Sequence, residues 1–154
     1  LGIDYKTVAR YLDLFEKTFI LYNVRGFSRN LRKEITKKSK YYFYDTGIRN
    51  ALIANLNPLS LRDDVGRLWE NFLVIERLKK QTYTSLFCNN YFWRTWEQQE
   101  IDWVEEREGK LFGYEFCWQS KTAKKKKKPS QWSEAYPGAS WEIITQDNYL
   151  EFVA

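Results

Sequence analysis

The stretch QEIDWVEEREGKLFGYEFCW, residues 99–118, sets two carboxylates where they could share a ligand. Side chains along a strand alternate between its two faces. In GYEFCW that alternation separates Gly113, Glu115 and Cys117 from Tyr114, Phe116 and Trp118. In EIDWV it separates Glu100, Asp102 and Val104 from Ile101 and Trp103. Paired about a turn at Gly109, the two runs can project Asp102 and Glu115 on the same side. Two carboxylates with a peptide carbonyl suit a hard, oxygen-seeking ion such as Mg²⁺. Such an ion lowers the pKa of a bound water and offsets charge building up on a phosphate. The competing reading is two ordinary strand acids facing solvent, because their spacing alone is common.

Composition narrows what else the chain could do. It has no histidine, which excludes a Ser-His-Asp triad, a Cys-His dyad and any zinc site built on imidazole. Cys88 and Cys117 are too few and too far apart for a disulfide framework or a zinc knuckle, so a reducing, cytoplasmic setting is expected. No run approaches the roughly 18 apolar residues of a membrane helix, and no charged start leads into an apolar stretch. No GxxxxGK[ST] occurs, so no P-loop nucleotide site is expected. The sequence contains no methionine and begins at Leu1, which suggests a fragment of a longer protein.

The net charge of +5 is unevenly spread. Residues 25–40 carry Arg25, Arg29, Arg32, Lys33, Lys37, Lys38 and Lys40 against one acid, Glu34. Residues 121–128 carry six lysines, beginning with Lys121, and no acid. The rest of the chain is therefore acidic, at −7. Two basic segments on an acidic body point to a polyanionic partner, DNA foremost. Against this stands the plainer reading that lysine runs only solvate loops. Aromatic residues make up 18% of the chain, including 11 Tyr and 7 Trp. Exposed ones could stack bases, though core packing explains most of them more simply.

The elements that must position these groups follow from periodicity. Residues 4–19 space Val8, Leu12, Phe15 and Phe19 along one helical stripe, with Asp4 where an N-cap stands. The β-prone ILYNVRGF, the basic stretch and the β-prone KYYFYDTG follow. Helix, strand, basic loop and strand describe the end of a winged helix, or more plainly a helix beside a hairpin. DTGIRNALIANL reads as a turn and short helix, and NPLSLRDD as a linker. The boundary between two modules, 1–57 and 58–154, is placed there. Residues 65–80 form the strongest helix, with Glu70 near the margin of its apolar face and Glu76 solvated. Three strands are expected within 85–95, 100–106 and 110–118. The lysine run should be a loop, followed by a short helix in QWSEAY, a strand and a tail. This makes an α+β or α/β module with a mixed central sheet flanked by helices.

The segments GRLWENFLVIERL, YYFWRT, QEIDWVEE and KLFGYEF resemble the domain of unknown function 4143, found in bacterial and archaeal AAA-type ATPases. The upstream segment from TVARYLDLFEKTF to YFYDTGIRNAL resembles the helix-and-wing part that joins the ATPase to that domain. The domain is similar to the PD-(D/E)XK, or restriction-endonuclease-like, fold. The resemblance implies a catalytic and Mg²⁺- or Mn²⁺-binding set of Glu70, Asp102 and Glu115, with the ATPase part upstream. It also implies a lysine where this chain has Cys117. A thiol carries no fixed positive charge, and a thiolate would repel the scissile phosphate. Lys121 or the run Lys124–Lys128 could swing in to replace it.

Three readings follow. The first is a DNA-binding and regulatory module of an AAA-type ATPase, with a degenerate nuclease-like site and phosphate contacts from Arg29, Arg32, Lys33, Lys37, Lys38, Lys40 and Lys121. The second is an active metal-dependent endonuclease. The third is a protein-interaction domain whose lysine run meets an acidic partner.

Overall fold

The computed structural model describes residues 2–29 and 38–154. The chain runs α1 (Tyr5–Lys17), β1 (Leu21–Gly26), β2 (Ser39–Phe43), α2 (Thr46–Leu52), α3 (Val65–Tyr83), β3 (Asn89–Arg94), β4 (Glu100–Arg107), β5 (Lys110–Phe116), α4 (Ser120–Ala123), α5 (Ser130–Ala135), β6 (Ser140–Ile144) and α6 (Tyr149–Val153). The six strands form one mixed sheet in the order β2-β1-β3-β4-β5-β6. The pairs β1–β3 and β5–β6 are parallel, and the other three are antiparallel. Among the described residues no helix is long and apolar enough to cross a membrane.

This sheet crosses the boundary read from the linker. The two strands expected of a wing pair with each other, and β1 also pairs with β3 through Arg25–Tyr91 and Gly26–Phe92. They therefore form one side of the second module's sheet. α1 stands outside the packed layers, with no buried residue; Leu12 is half-buried, while Val8, Phe15 and Phe19 stay exposed. Asp4 occupies its N-cap position but makes no capping hydrogen bond. Asp45 does cap α2, accepting from the N–H groups of Gly47 at 2.5 Å and Ile48 at 3.3 Å.

Two cores sandwich the sheet. On one face Trp69, Leu73, Val74 and Ile75 of α3 pack with Phe152 of α6 onto Val24, Tyr42, Trp103, Tyr114 and Phe116. On the other, Trp132 and Tyr136 pack onto Phe27, Trp93, Ile101, Val104 and Leu111. The expected tail is thus partly a helix, because Phe152 closes the first core against Tyr114 and Phe116. The lysine run likewise begins as a helical turn, α4, rather than a plain loop. Asn71 ties α3 to the end of β2, accepting from the Phe43 N–H at 2.8 Å and donating to its carbonyl at 2.7 Å.

Candidate functional site

The hairpin that carries Asp102 and Glu115 closes through Glu108 and Gly109, both with positive φ, 50° and 72°. That backbone matches the right-handed twist of the flanking strands. Pairing runs from Arg107–Lys110 to Trp103–Tyr114. Simple alternation fails at Asp102 and Trp103. Between the pairs Tyr91–Val104 and Trp93–Ile101, two steps of β3 oppose three of β4. This bulge sends Ile101 into one core and Trp103 into the other, so the expectation that they share a face is corrected. A bulge inserts one extra residue and re-aims its neighbours. Here the Asp102 carboxylate lies past the last β4–β5 pair and accepts the Phe116 N–H on Oδ2 at 2.9 Å.

Asp102 meets two other acids around one lysine. The Lys40 ammonium lies 3.0 Å from Glu70 Oε1, 2.5 Å from Glu100 Oε1 and 3.2 Å from Asp102 Oδ1. Each carboxylate also has another partner. Tyr42 donates its hydroxyl to Glu70 at 2.7 Å, Arg94 Nε lies 3.6 Å from Glu100, and Phe116 serves Asp102. Lys40 sits in phase with Tyr42 on β2, so both turn toward α3, and the ammonium lies 5.6 Å from the Phe92 ring centroid. Burial works against the Lys40 charge, but Asp102, Glu70 and Glu100 overcome it and hold the ammonium well above the ordinary lysine value. Burial and the Asp102 charge raise the Glu70 carboxyl, against Lys40 and Tyr42.

Glu115 alternates with Tyr114 and Phe116, which face α3, and therefore points the other way. It is bonded to Lys126 of the lysine run. Burial first, and the nearby Asp102 charge second, push its carboxyl up to about 7, with Lys126 opposing. Cys117 is buried, and its thiol faces the Gln119 carbonyl at 3.3 Å. The structure thus brings Glu70 and Asp102 to one lysine and gives Glu115 to another. Among the described residues no three of His, Cys, Asp or Glu form a set that could hold a metal ion. The implied trio of Glu70, Asp102 and Glu115 does not fit a metal as it stands, since each oxygen-rich group already carries a cation or donor.

The expected phosphate-facing residues divide. Lys38 and Lys121 are exposed. Arg29 is exposed, reaches Glu106 at 2.8 Å and donates its backbone N–H to the Tyr136 hydroxyl at 3.2 Å. Arg32, Lys33 and Lys37 lie outside the described residues. Lys40 is the correction, because its ammonium is spent on the carboxylates rather than turned outward. One residue escaped the sequence reading: Glu100, which shares a strand phase with Asp102 in the sequence. Of the run Lys124–Lys128, expected to be able to swing in, it is Lys126 that reaches Glu115.

A family model described as Domain of unknown function (DUF4143) matches residues 65–151, more than half of the chain. The chain belongs to the DUF4143 family. A second model, Domain of unknown function (DUF8612), matches residues 1–60. The carboxylate cluster therefore joins the two regions, with Lys40 from the first and Glu70, Glu100 and Asp102 from the DUF4143 part. The chain is similar to the uncharacterized protein Rv2008c of Mycobacterium tuberculosis, 29% identical over 119 residues. It is similar to the same degree to the uncharacterized protein Mb2031c of Mycobacterium bovis. Each match covers 75% of this chain but 26% of the relative, so the chain spans about a quarter of the length of these curated proteins. No solved structure matches the chain.

Proposed function

We propose that this DUF4143 chain is a DNA-binding and regulatory module of an AAA-type ATPase, with a nuclease-like site whose carboxylates are held by lysines. The observation that carries the reading is the exposed lysine run that leads into α5. Arg29 of the first segment donates its backbone N–H to Tyr136 at the far end of α5 while its guanidinium pairs with Glu106, and Phe27 packs 5.5 Å from the same ring. Lys124, Lys125 and Lys127 of the second are exposed just before α5 begins. An exposed run of cations offers a polyanion several phosphate contacts at once, and such contacts dominate non-specific affinity. The ATPase association rests on the resemblance of the helix-and-strand segment and of the DUF4143 part.

A metal-dependent endonuclease is the second reading, favoured by one contact. Lys126 reaches Glu115 and so supplies a cation beside the strand where Cys117 offers none. Incubating labelled duplex DNA with Mn²⁺ and the wild type, Asp102→Ala or Cys117→Lys separates the two. The module reading expects a shifted, uncut duplex with wild type and undiminished binding by Asp102→Ala. Cleavage by wild type that vanishes in Asp102→Ala would establish the endonuclease instead. Absence of binding even at low salt would favour a protein-interaction domain.

A further inference from the structure

The Lys40 site is built to a stoichiometry. A lysine ammonium has three N–H donors and no acceptor, and here it has three carboxylate oxygens within 3.2 Å, one each from Glu70, Glu100 and Asp102. Tyr42, Arg94 and the Phe116 N–H take further positions on the same three groups. Mg²⁺ demands near-octahedral oxygen ligands at about 2.0–2.1 Å and sheds its waters reluctantly. To enter, it would have to displace an ammonium that is already desolvated and compensated. It would also have to break the three contacts through which Lys40 ties β2 to α3 and β4.

We infer that the Lys40 ammonium is the resident cation of this cluster, standing in the place of a divalent ion and locking strand β2 onto α3 and β4. The carboxylates then serve as a fixed joint between the DUF8612 and DUF4143 regions rather than as a metal centre. The carboxylates that accept from Lys40 are Glu70, Glu100 and Asp102, so Glu100 belongs to the joint and Glu115 does not. This inference stands on the cluster's geometry and is independent of whether the α5 face binds DNA.

Two measurements on the whole chain test it. Electron paramagnetic resonance of Mn²⁺ titrated into wild-type protein should show no saturable binding that Asp102→Asn removes. Saturable binding lost in Asp102→Asn would overturn the inference, and this measurement needs no cluster variant to explain a negative result. The second is thermal unfolding of Lys40→Met, Glu70→Gln and the double variant. Lys40→Met should lower Tm by about 10 °C, because it strands three half-buried acids. Adding Glu70→Gln should restore part of that loss, since one uncompensated charge is then removed. An unchanged Tm for Lys40→Met, or strictly additive losses in the double variant, would contradict a charge-balanced joint.

Discussion

Arg77 and Glu105 face each other in a two-pronged ion pair beneath the sheet, Nε to Oε1 at 2.6 Å and Nη2 to Oε2 at 2.8 Å. Glu105 is fully buried, and Gln81 and the Trp103 indole also donate to it, at 2.8 and 3.1 Å. Arg77 uses Nη1 to bind the Phe152 carbonyl at 2.7 Å, so one network links α3, β4 and α6. Removing one partner of a buried pair leaves an uncompensated charge, at a cost of about 3–5 kcal/mol. Arg77→Met should destabilise the chain by that amount in urea unfolding. The double variant Arg77→Met/Glu105→Leu should lose less than the single one, because no buried charge is left unpaired.

Asn71 gives a second, local test. It satisfies both backbone groups of Phe43, and Asn71→Leu would strand the donor and the acceptor together. Each unsatisfied group costs about 1–3 kcal/mol. Unfolding should register a loss of several kcal/mol, and hydrogen exchange at the Phe43 amide should accelerate more than at Val24.

The third prediction concerns pH. The Glu115 carboxyl is raised to about 7 by burial and Asp102. A carboxyl whose folded-state pKa is raised binds its proton more tightly when folded, so its contribution is present at low pH and is lost as pH rises through about 7. Glu115→Gln should remove this slope. Relative to wild type, the variant should gain on the order of 1–3 kcal/mol between acid pH and neutrality. Unfolding midpoints across that range provide the check, and a difference independent of pH would contradict the assignment.

The hairpin turn makes a smaller prediction. Gly109 has φ 72°, where a side chain costs roughly 1–2 kcal/mol. Gly109→Val should lose at least that much in urea unfolding, with no effect on the Lys40 cluster.

Much of this architecture was legible from local periodicity. Because 3.6- and 2-residue repeats are written in neighbouring side chains, the helix α1 and the strands β3 and β5 lie within the spans expected, while α3 runs three residues and β4 one residue past theirs. The parallel contact of β1 with β3 was not legible, since it joins residues 25 and 91, and no local pattern records such pairing. The bulge at Asp102 and Trp103 was hidden for a related reason, because it exists only in the register between two strands. Lys40 did leave a trace. In SKYYFY it alternates in phase with Tyr42 and so had to point inward if Tyr42 did, yet it was grouped with the basic loop before it. Glu105 shares that logic, standing two residues from the buried Trp103, while Arg77 lies four residues from Leu73 on the packed side of α3.

The most direct test of the central claim is the salt dependence of duplex DNA binding, read by fluorescence anisotropy, for wild type and for Lys124→Ala/Lys125→Ala/Lys127→Ala. These lysines are exposed, and the substitutions leave the Lys40 cluster and Lys126 untouched. Each phosphate contact contributes about 0.9 to the slope of log affinity against log salt. The account predicts that wild type binds more tightly as salt falls, and that the triple variant binds more weakly with a slope shallower by about 2–3. Equal affinity and equal slope for the two proteins would contradict it.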